Sequence, residues 1–244
     1  MADQEIFSHP PLAEISGESV PANAYKERED LRHVVIPEGV RKIGVYAFQS
    51  CANLETVVLP KTLRRIMWGA FEKCHNLRAI SIPEGVVSID DNAFAYCAGL
   101  KTAALPDSLR DIRNGAFRNC RSLRSLVLPD GAAGLGDYAF SGCSSLETAA
   151  LPASLEEVSR GAFMGCARLR GIAIPEGVFR IGDHAFADCA VLESIILPNS
   201  LEELGEDAFT GCTSLGQVSL PAAWRARKDA LDRASIPASA RVYR

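Results

Sequence analysis

The chain has 244 residues, of which 48% are hydrophobic and 23% charged, and its formal net charge is −4. That balance supports a buried core and excludes a disordered or polyacidic chain, while the lack of concentrated Lys and Arg argues against nucleic acid or an anionic membrane surface as partner. No apolar run approaches the roughly 18 residues of a membrane span, and the start, Met1-Ala2-Asp3-Gln4-Glu5, is acidic where an export signal is basic and then apolar.

Residues 1–30 carry Ile6, Phe7, Leu12, Ile15, Val20 and Tyr25 among Pro10-Pro11 and Pro21. The segment is too apolar for a free linker and too short for a domain, so an N-terminal cap is expected. From Leu31 a repeat sets in. Cysteines stand at 51, 74, 97, 120, 143, 166, 189 and 212, a constant step of 23 residues, and Phe48 to Phe209, each preceded by alanine, follow the same step. Leucines from Leu31 to Leu215 and prolines from Pro37 to Pro221 also keep it. A fixed period of 20 to 50 residues marks a stacked repeat architecture. Eight repeats and a ninth strand fill residues 31–221.

In the unit that begins at Leu54, Val57 and Leu59 share one face of a short strand that Pro60 ends, since proline has no ladder donor. Leu63 and Ile66, then Phe71, Cys74 and Leu77, step by three. That spacing predicts a 3₁₀ turn with Phe and Cys pointing inward. One such unit encloses no core, so neighbours must stack, and nine strands about 4.8 Å apart would span roughly 38 Å. A longer period lies inside the first. Glu38-Gly39-Val40, Glu84-Gly85-Val86 and Glu176-Gly177-Val178, with Asp130-Gly131-Ala132 in phase, alternate with Thr-Leu or Ser-Leu at 62–63, 108–109, 154–155 and 200–201, so the true period is 46. Beyond Pro221, residues 223–233 read as a helix and 240–243 as a closing strand, and residues 222–244 are expected to cap the other end.

A step of this length headed by L-x-x-L-x-L resembles the leucine-rich repeat. With P at the strand end and A-F-x-x-C in the turn, the unit looks like that of the BspA-like and Treponema leucine-rich-repeat proteins. The resemblance implies an α/β repeat solenoid, with a parallel sheet on the concave side and short 3₁₀ or α turns on the other. It further implies binding and adhesion at the cell surface or after secretion, and no catalytic residue. The slot that holds a ladder Asn or Cys in commoner leucine-rich repeats is here Gly39, Thr62, Gly85, Ser108, Gly131, Ser154, Gly177 and Ser200. An asparagine ladder is therefore excluded.

Outward strand positions define the candidate partner site. These are His33, Thr56, Thr102, Ser125, Thr148 and Ser194 in one slot and Val35, Val58, Val127 and Ile196 in another, a smooth and mildly apolar floor without the Trp, Tyr and Arg anchors of strong interfaces. At the strand start, Arg32, Glu55, Arg78, Lys101, Arg124, Glu147, Arg170 and Glu193 mostly place opposite charges side by side; Arg78, Lys101 and Arg124 form a like-charged run that an anionic ligand could relieve.

The cysteine column reads as buried reduced thiols. There is no C-x-x-C or other zinc spacing, and parallel inward vectors disfavour disulfides. Cys74-His75 are adjacent and do not face each other. The four histidines fall in unrelated slots, acidic pairs such as Asp90-Asp91 and Glu202-Glu203 lie at turns, and no hydrolase, zincin or P-loop motif occurs. No enzyme, cofactor or metal is expected. Ala103, Ala149 and Ala132 under-fill the core, so repeats four to six should open first. The reading is a monomeric, non-catalytic scaffold that docks a host or neighbouring-cell protein on its concave sheet; a structural spacer and a glycan-binding module are the alternatives.

Overall fold

The computed structural model describes residue 15 and residues 17–244. Of the N-terminal apolar residues, Ile6, Phe7 and Leu12 lie outside that range. Each repeat contributes a three-residue strand, such as His33–Val35 or Thr56–Val58, in which the middle side chain is inward and its neighbours are exposed. All pairings are parallel, and residue i faces residue i+23. This first ladder is divided: Thr102–Ala104 ends a four-stranded sheet and Ser125–Val127 begins a six-stranded one.

Each turn of the solenoid also has a second strand, which the three-residue spacing of Leu63 and Ile66 did not disclose. Two-residue strands from Ser19–Val20 to Gly134–Leu135 pair in one six-stranded ladder, and Glu157–Val158, Arg180–Ile181 and Glu203–Leu204 form another. Ser19–Val20 pairs with Lys42–Ile43, so the stacking begins half a repeat before Leu31. Two residues suffice because Ile43 or Ile66 anchors the strand inward while Lys42 or Arg65 stays outside.

The third side is the Phe–Cys turn, expected to be 3₁₀. It does contain i→i−3 bonds, from Ala70 N to Met67 O and from Cys74 N to Phe71 O. The intervening amides point elsewhere: Phe71 N donates to Ala93 O and Lys73 N to Ala95 O in the next repeat, both at 2.8 Å. Gly69 and Lys73 are left-handed, with φ of 58° and 60°. Those reversals aim alternate amides along the solenoid axis, so no regular helix forms within the repeats. A non-glycine residue in this region costs about 1–2 kcal/mol, which the inter-repeat bonds offset.

Inside, Phe48 to Phe209 stack at centroid spacings between 5.2 and 5.8 Å and interplanar angles of 0° to 11°. Tyr25 continues the column before Phe48 at 5.0 Å. Burying each ring contributes roughly 1.5–3 kcal/mol by transfer out of water. Beside them run the cysteines, all buried and free. Each thiol donates to the carbonyl of the preceding aromatic, from Cys51 Sγ to Tyr25 O at 3.0 Å and from Cys74 Sγ to Phe48 O at 3.1 Å through Cys212 Sγ to Phe186 O at 3.1 Å. Cysteine is thus both a small hydrophobe and a donor to a buried carbonyl.

The 46-residue period has a physical basis in a clip that joins two repeats. Glu38 accepts from Lys61 N and Thr62 N, Gly39 N donates to Thr62 Oγ1, and Thr62 Oγ1 donates to Val40 O. The same set recurs from Glu84 to Ser108, and in similar form from Glu176 to Ser200. Where Asp130-Gly131-Ala132 replaces Glu-Gly-Val, only two bonds from Ser154 Oγ, to Asp130 O and Ala132 O, are made. Across the eight repeats the extent of strand pairing follows the clips, while the ninth strand pairs at three positions without one. Within clipped pairs three residues pair on the first ladder. Between them the pairing shrinks to Thr56↔Ala79, to none between Thr102–Ala104 and Ser125–Val127, and to two positions between Thr148 and Gly171 strands.

At the C-terminal end the expected single helix is broken. Residues Ala222–Ala226 form a 3₁₀ turn and Lys228–Arg233 an α-helix, with Arg227 between them at φ −98°, ψ 43°. The break lets Trp224 drop into the core, where its Nε1 donates to Leu201 O at 3.0 Å, while Arg227 lies over its ring and donates to Glu202 O. Arg241–Tyr243 then pairs beyond Gln217–Leu220.

Candidate functional site

All thirteen expected partner residues lie on the outer surface of the first ladder or at its leading edge. Thr56, Thr102, Ser125, Thr148 and Ser194 are exposed in one row, and His33 Nδ1 lies 2.8 Å from Thr56 Oγ1 at its start. The next row holds Val35, Val58, Val127 and Ile196, between 55% and 68% exposed. Exposed aliphatic side chains, in a row whose other members are Ser and Ala, are the feature of this surface that water does not favour. Register sets Val35 directly beside Val58.

The charged edge is less orderly than its sequence suggests. Glu55 lies 3.4 Å from Arg32 and 3.1 Å from Arg78, which forms one triad. No other opposite charges of that row come within ion-pair distance among the described residues. The like-charged run therefore loses Arg78 to Glu55, and Lys101 and Arg124 remain as its cations.

Sequence reasoning missed the depression over the ladder interruption. It is lined by Thr56, Ala79, Ser81, Thr102, Ala104 and Val127, with Ala103 at its base. Ala103 is only partly buried where Ile80 and Leu126 on either side are 3% and 2% exposed. The interruption coincides with a junction between clipped pairs and with an under-filled core position, so two weak terms add at one place. The signal was present as Ala103, but its pairing consequence depends on the clip phase.

The cysteines offer no reactive site. Burial pushes the Cys51 and Cys212 thiols up to about 11 and Cys143 to about 12, and burial likewise raises Cys74, Cys120, Cys166 and Cys189. The thiolate is the nucleophile, so each is held in its inert form. Among the described residues no group of three or more His, Cys, Asp or Glu is arranged to hold a metal ion, and no helix is long and apolar enough to cross a membrane.

A family model for the BspA type leucine rich repeat region, in six copies, matches residues 18–147 and 134–230. The chain belongs to the BspA-type leucine-rich-repeat family. No curated protein matches it. Among solved structures it resembles a leucine rich cell surface protein from Faecalibacterium prausnitzii at 29% identity and a TM-score of 0.58, covering 86% of this chain and 65% of that one. A leucine-rich repeat protein from Bacteroides ovatus matches at 28% identity and 0.52, with 84% and 70% covered. The pneumococcal vaccine antigen PcpA, at 19% identity and 0.58 over 93% and 70%, shares the fold. The chain thus spans just under two thirds of the Faecalibacterium protein's length. These relatives make the BspA-type chain a repeat scaffold of a bacterial class.

Proposed function

We propose that the chain is a non-catalytic protein-interaction scaffold that holds an extended segment of a host or neighbouring-cell protein along its first strand face, as an adhesive or ligand-binding module at a bacterial surface. The supporting observation is the row of exposed Val35, Val58, Val127 and Ile196 on an otherwise small-residue floor. Leucine-rich-repeat scaffolds of this kind are generally non-catalytic, and the cell-surface relative supports the location. A floor lacking aromatic and Arg anchors suits weak or multivalent contact.

Replacing Val58, Val127 and Ile196 together by Asp tests this reading. Binding of the purified chain to immobilised surface proteins of candidate cells should fall at least about tenfold, since three buried apolar contacts worth about 1 kcal/mol or more each would be lost. A spacer would keep its activity in the parent protein. Glycan binding is disfavoured by the position of the exposed aromatics: Trp68 and Phe179 lie off this face. Protease shaving of intact source cells, read by peptide mass spectrometry, checks location; release of these peptides only after lysis would sink the adhesive version.

A further inference from the structure

The second ladder has its own exposed row, formed by the residue that precedes each two-residue strand. From repeat two to repeat eight it reads Arg64, Val87, Arg110, Ala133, Glu156, Phe179, Glu202. Backbone bonds join four of its six steps, with Arg110 N to Val87 O, Ala133 N to Arg110 O, Phe179 N to Glu156 O and Glu202 N to Phe179 O, and the ladder is interrupted between Ala133 and Glu156. The row is complementary to its own reverse about Ala133: Arg64 answers Glu202, Val87 answers Phe179, Arg110 answers Glu156, and Ala133 answers itself.

We propose that this flank docks a second copy of the same chain, face to face and with the repeat order reversed, across a two-fold axis that passes beside Ala133. An isologous interface demands that residue i meet j while j meets i, and the row meets the demand from Arg64 to Glu202; Glu18 and Arg41, which precede it on the same ladder, lie beyond the symmetric stretch and pair with each other at 3.6 Å. The four charged residues have no ion-pair partner among the described residues, whereas some charges beside them do, such as Arg180 with Glu157 and Glu203. Arg64 and Arg110 each lie along the backbone, with Nη1 donating to Lys61 O and Leu63 O and to Asp107 O and Leu109 O, and each guanidinium packs over a glycine of the next repeat, Gly85 or Gly131, while the residue stays exposed. Val87 and Phe179 are 50% and 39% exposed, and in the reversed arrangement each covers the other. Small Ala133 and Gly134 at the centre permit close approach.

The outward residues of the adjoining strands give Arg65 opposite Glu203, which adds little because they already pair with Asp90 at 3.9 Å and Arg180 at 3.3 Å, and Asp111 opposite Glu157, which opposes docking. Glu157 is already neutralised by Arg180 at 3.5 Å. Same-direction docking would set Arg64 on Arg64 and Glu202 on Glu202, so repulsion selects the reversed order. A contact row this narrow belongs at the small end of protein interfaces, and its charges are exposed. The dimer is therefore a salt-sensitive one, in place of the monomer expected from sequence. The first strand face lies on another side of the solenoid and stays open to its ligand.

Sedimentation velocity of the full chain at low and high salt tests the proposal, with two charge-reversed variants. Glu156→Arg with Glu202→Arg makes the row all basic, and Arg64→Glu with Arg110→Glu makes it all acidic. The wild type should dimerise at low salt and weaken at least about tenfold between about 0.05 and 0.5 M salt. Each variant alone should be monomeric, and their equimolar mixture should dimerise again. An Ala133→Cys variant places one surface thiol on the axis, while the eight native thiols are buried, so mild oxidation should give a covalent dimer; Ala153→Cys, off the row, should not. A wild type monomeric at low salt, a mixture that stays monomeric, an open series of larger species, or equal cross-linking at 133 and 153 would each overturn it. Circular dichroism of each variant shows whether it is folded, and the cysteine test does not depend on charge reversal.

Discussion

Ser108 ties two repeats together through both of its hydrogen-bonding roles, so Ser108→Ala probes the clip directly. Its Oγ accepts from Gly85 N at 2.8 Å and donates to Val86 O at 2.9 Å in a half-buried corner. Each net bond contributes about 1 kcal/mol, and a donor left without a partner costs more; partial access of water to the corner limits the sum to about 2 kcal/mol. With a urea slope near 2.5 kcal/mol/M, the midpoint should fall by about 0.8 M, and protection of the Gly85 amide against hydrogen exchange should fall by about thirtyfold. Two controls separate the clip from general damage. Thr62 fills the equivalent place with the same two bonds, so Ser108→Thr should cost close to nothing. Ser154 only donates, to Asp130 O and Ala132 O, so Ser154→Ala leaves no amide stranded and should cost about half as much. A Ser108→Ala variant within about 0.5 kcal/mol of wild type, or an equally damaging Ser154→Ala, would show that the clip does not hold these repeats together.

Two further outcomes follow from the same geometry. Ala103→Val adds buried methyl groups beneath the interrupted ladder and should stabilise by about 1 kcal/mol, with slower exchange of amides in residues 102–104 and 125–127; unchanged exchange there would mean that the clip phase alone sets the interruption. For the thiols, burial raises the folded pKa of Cys51 and Cys212 to about 11 and Cys143 to about 12. Their unfolded value is about 8.5. The folded state therefore holds protons that the unfolded state releases, so the contribution is fully present below about pH 8.5 and is lost as pH rises towards 11, at up to about 1.4 kcal/mol per pH unit for each thiol. Urea midpoints should decline from about pH 9 upward, and a thiol reagent at pH 8 should label the chain only after unfolding; labelling of the native protein at several cysteines would contradict the buried column.

Periodicity alone made the stack, the inward Phe and Cys columns, the strand ends at proline and the outward rows legible, because a residue that recurs every 23 positions must meet its own copy in each neighbour. The 46-residue alternation was also visible, yet its meaning was not: only the folded chain brings Glu84 to the amides of Asp107 and Ser108. The second ladder escaped because two-residue strands carry too few positions to show alternation, and the turn read as 3₁₀ because a spacing of three does not reveal the left-handed Gly69 and Lys73 that redirect every other amide. The triad at Glu55 formed while Arg124 and Glu147 stayed apart, since adjacency in register fixes the backbone and leaves long exposed side chains free to choose solvent. Sequence determined what repeats and which side faces in. Tertiary structure decided where the repeats hold to one another strongly or weakly, because that depends on which donors and acceptors from different repeats meet once the chain is wound.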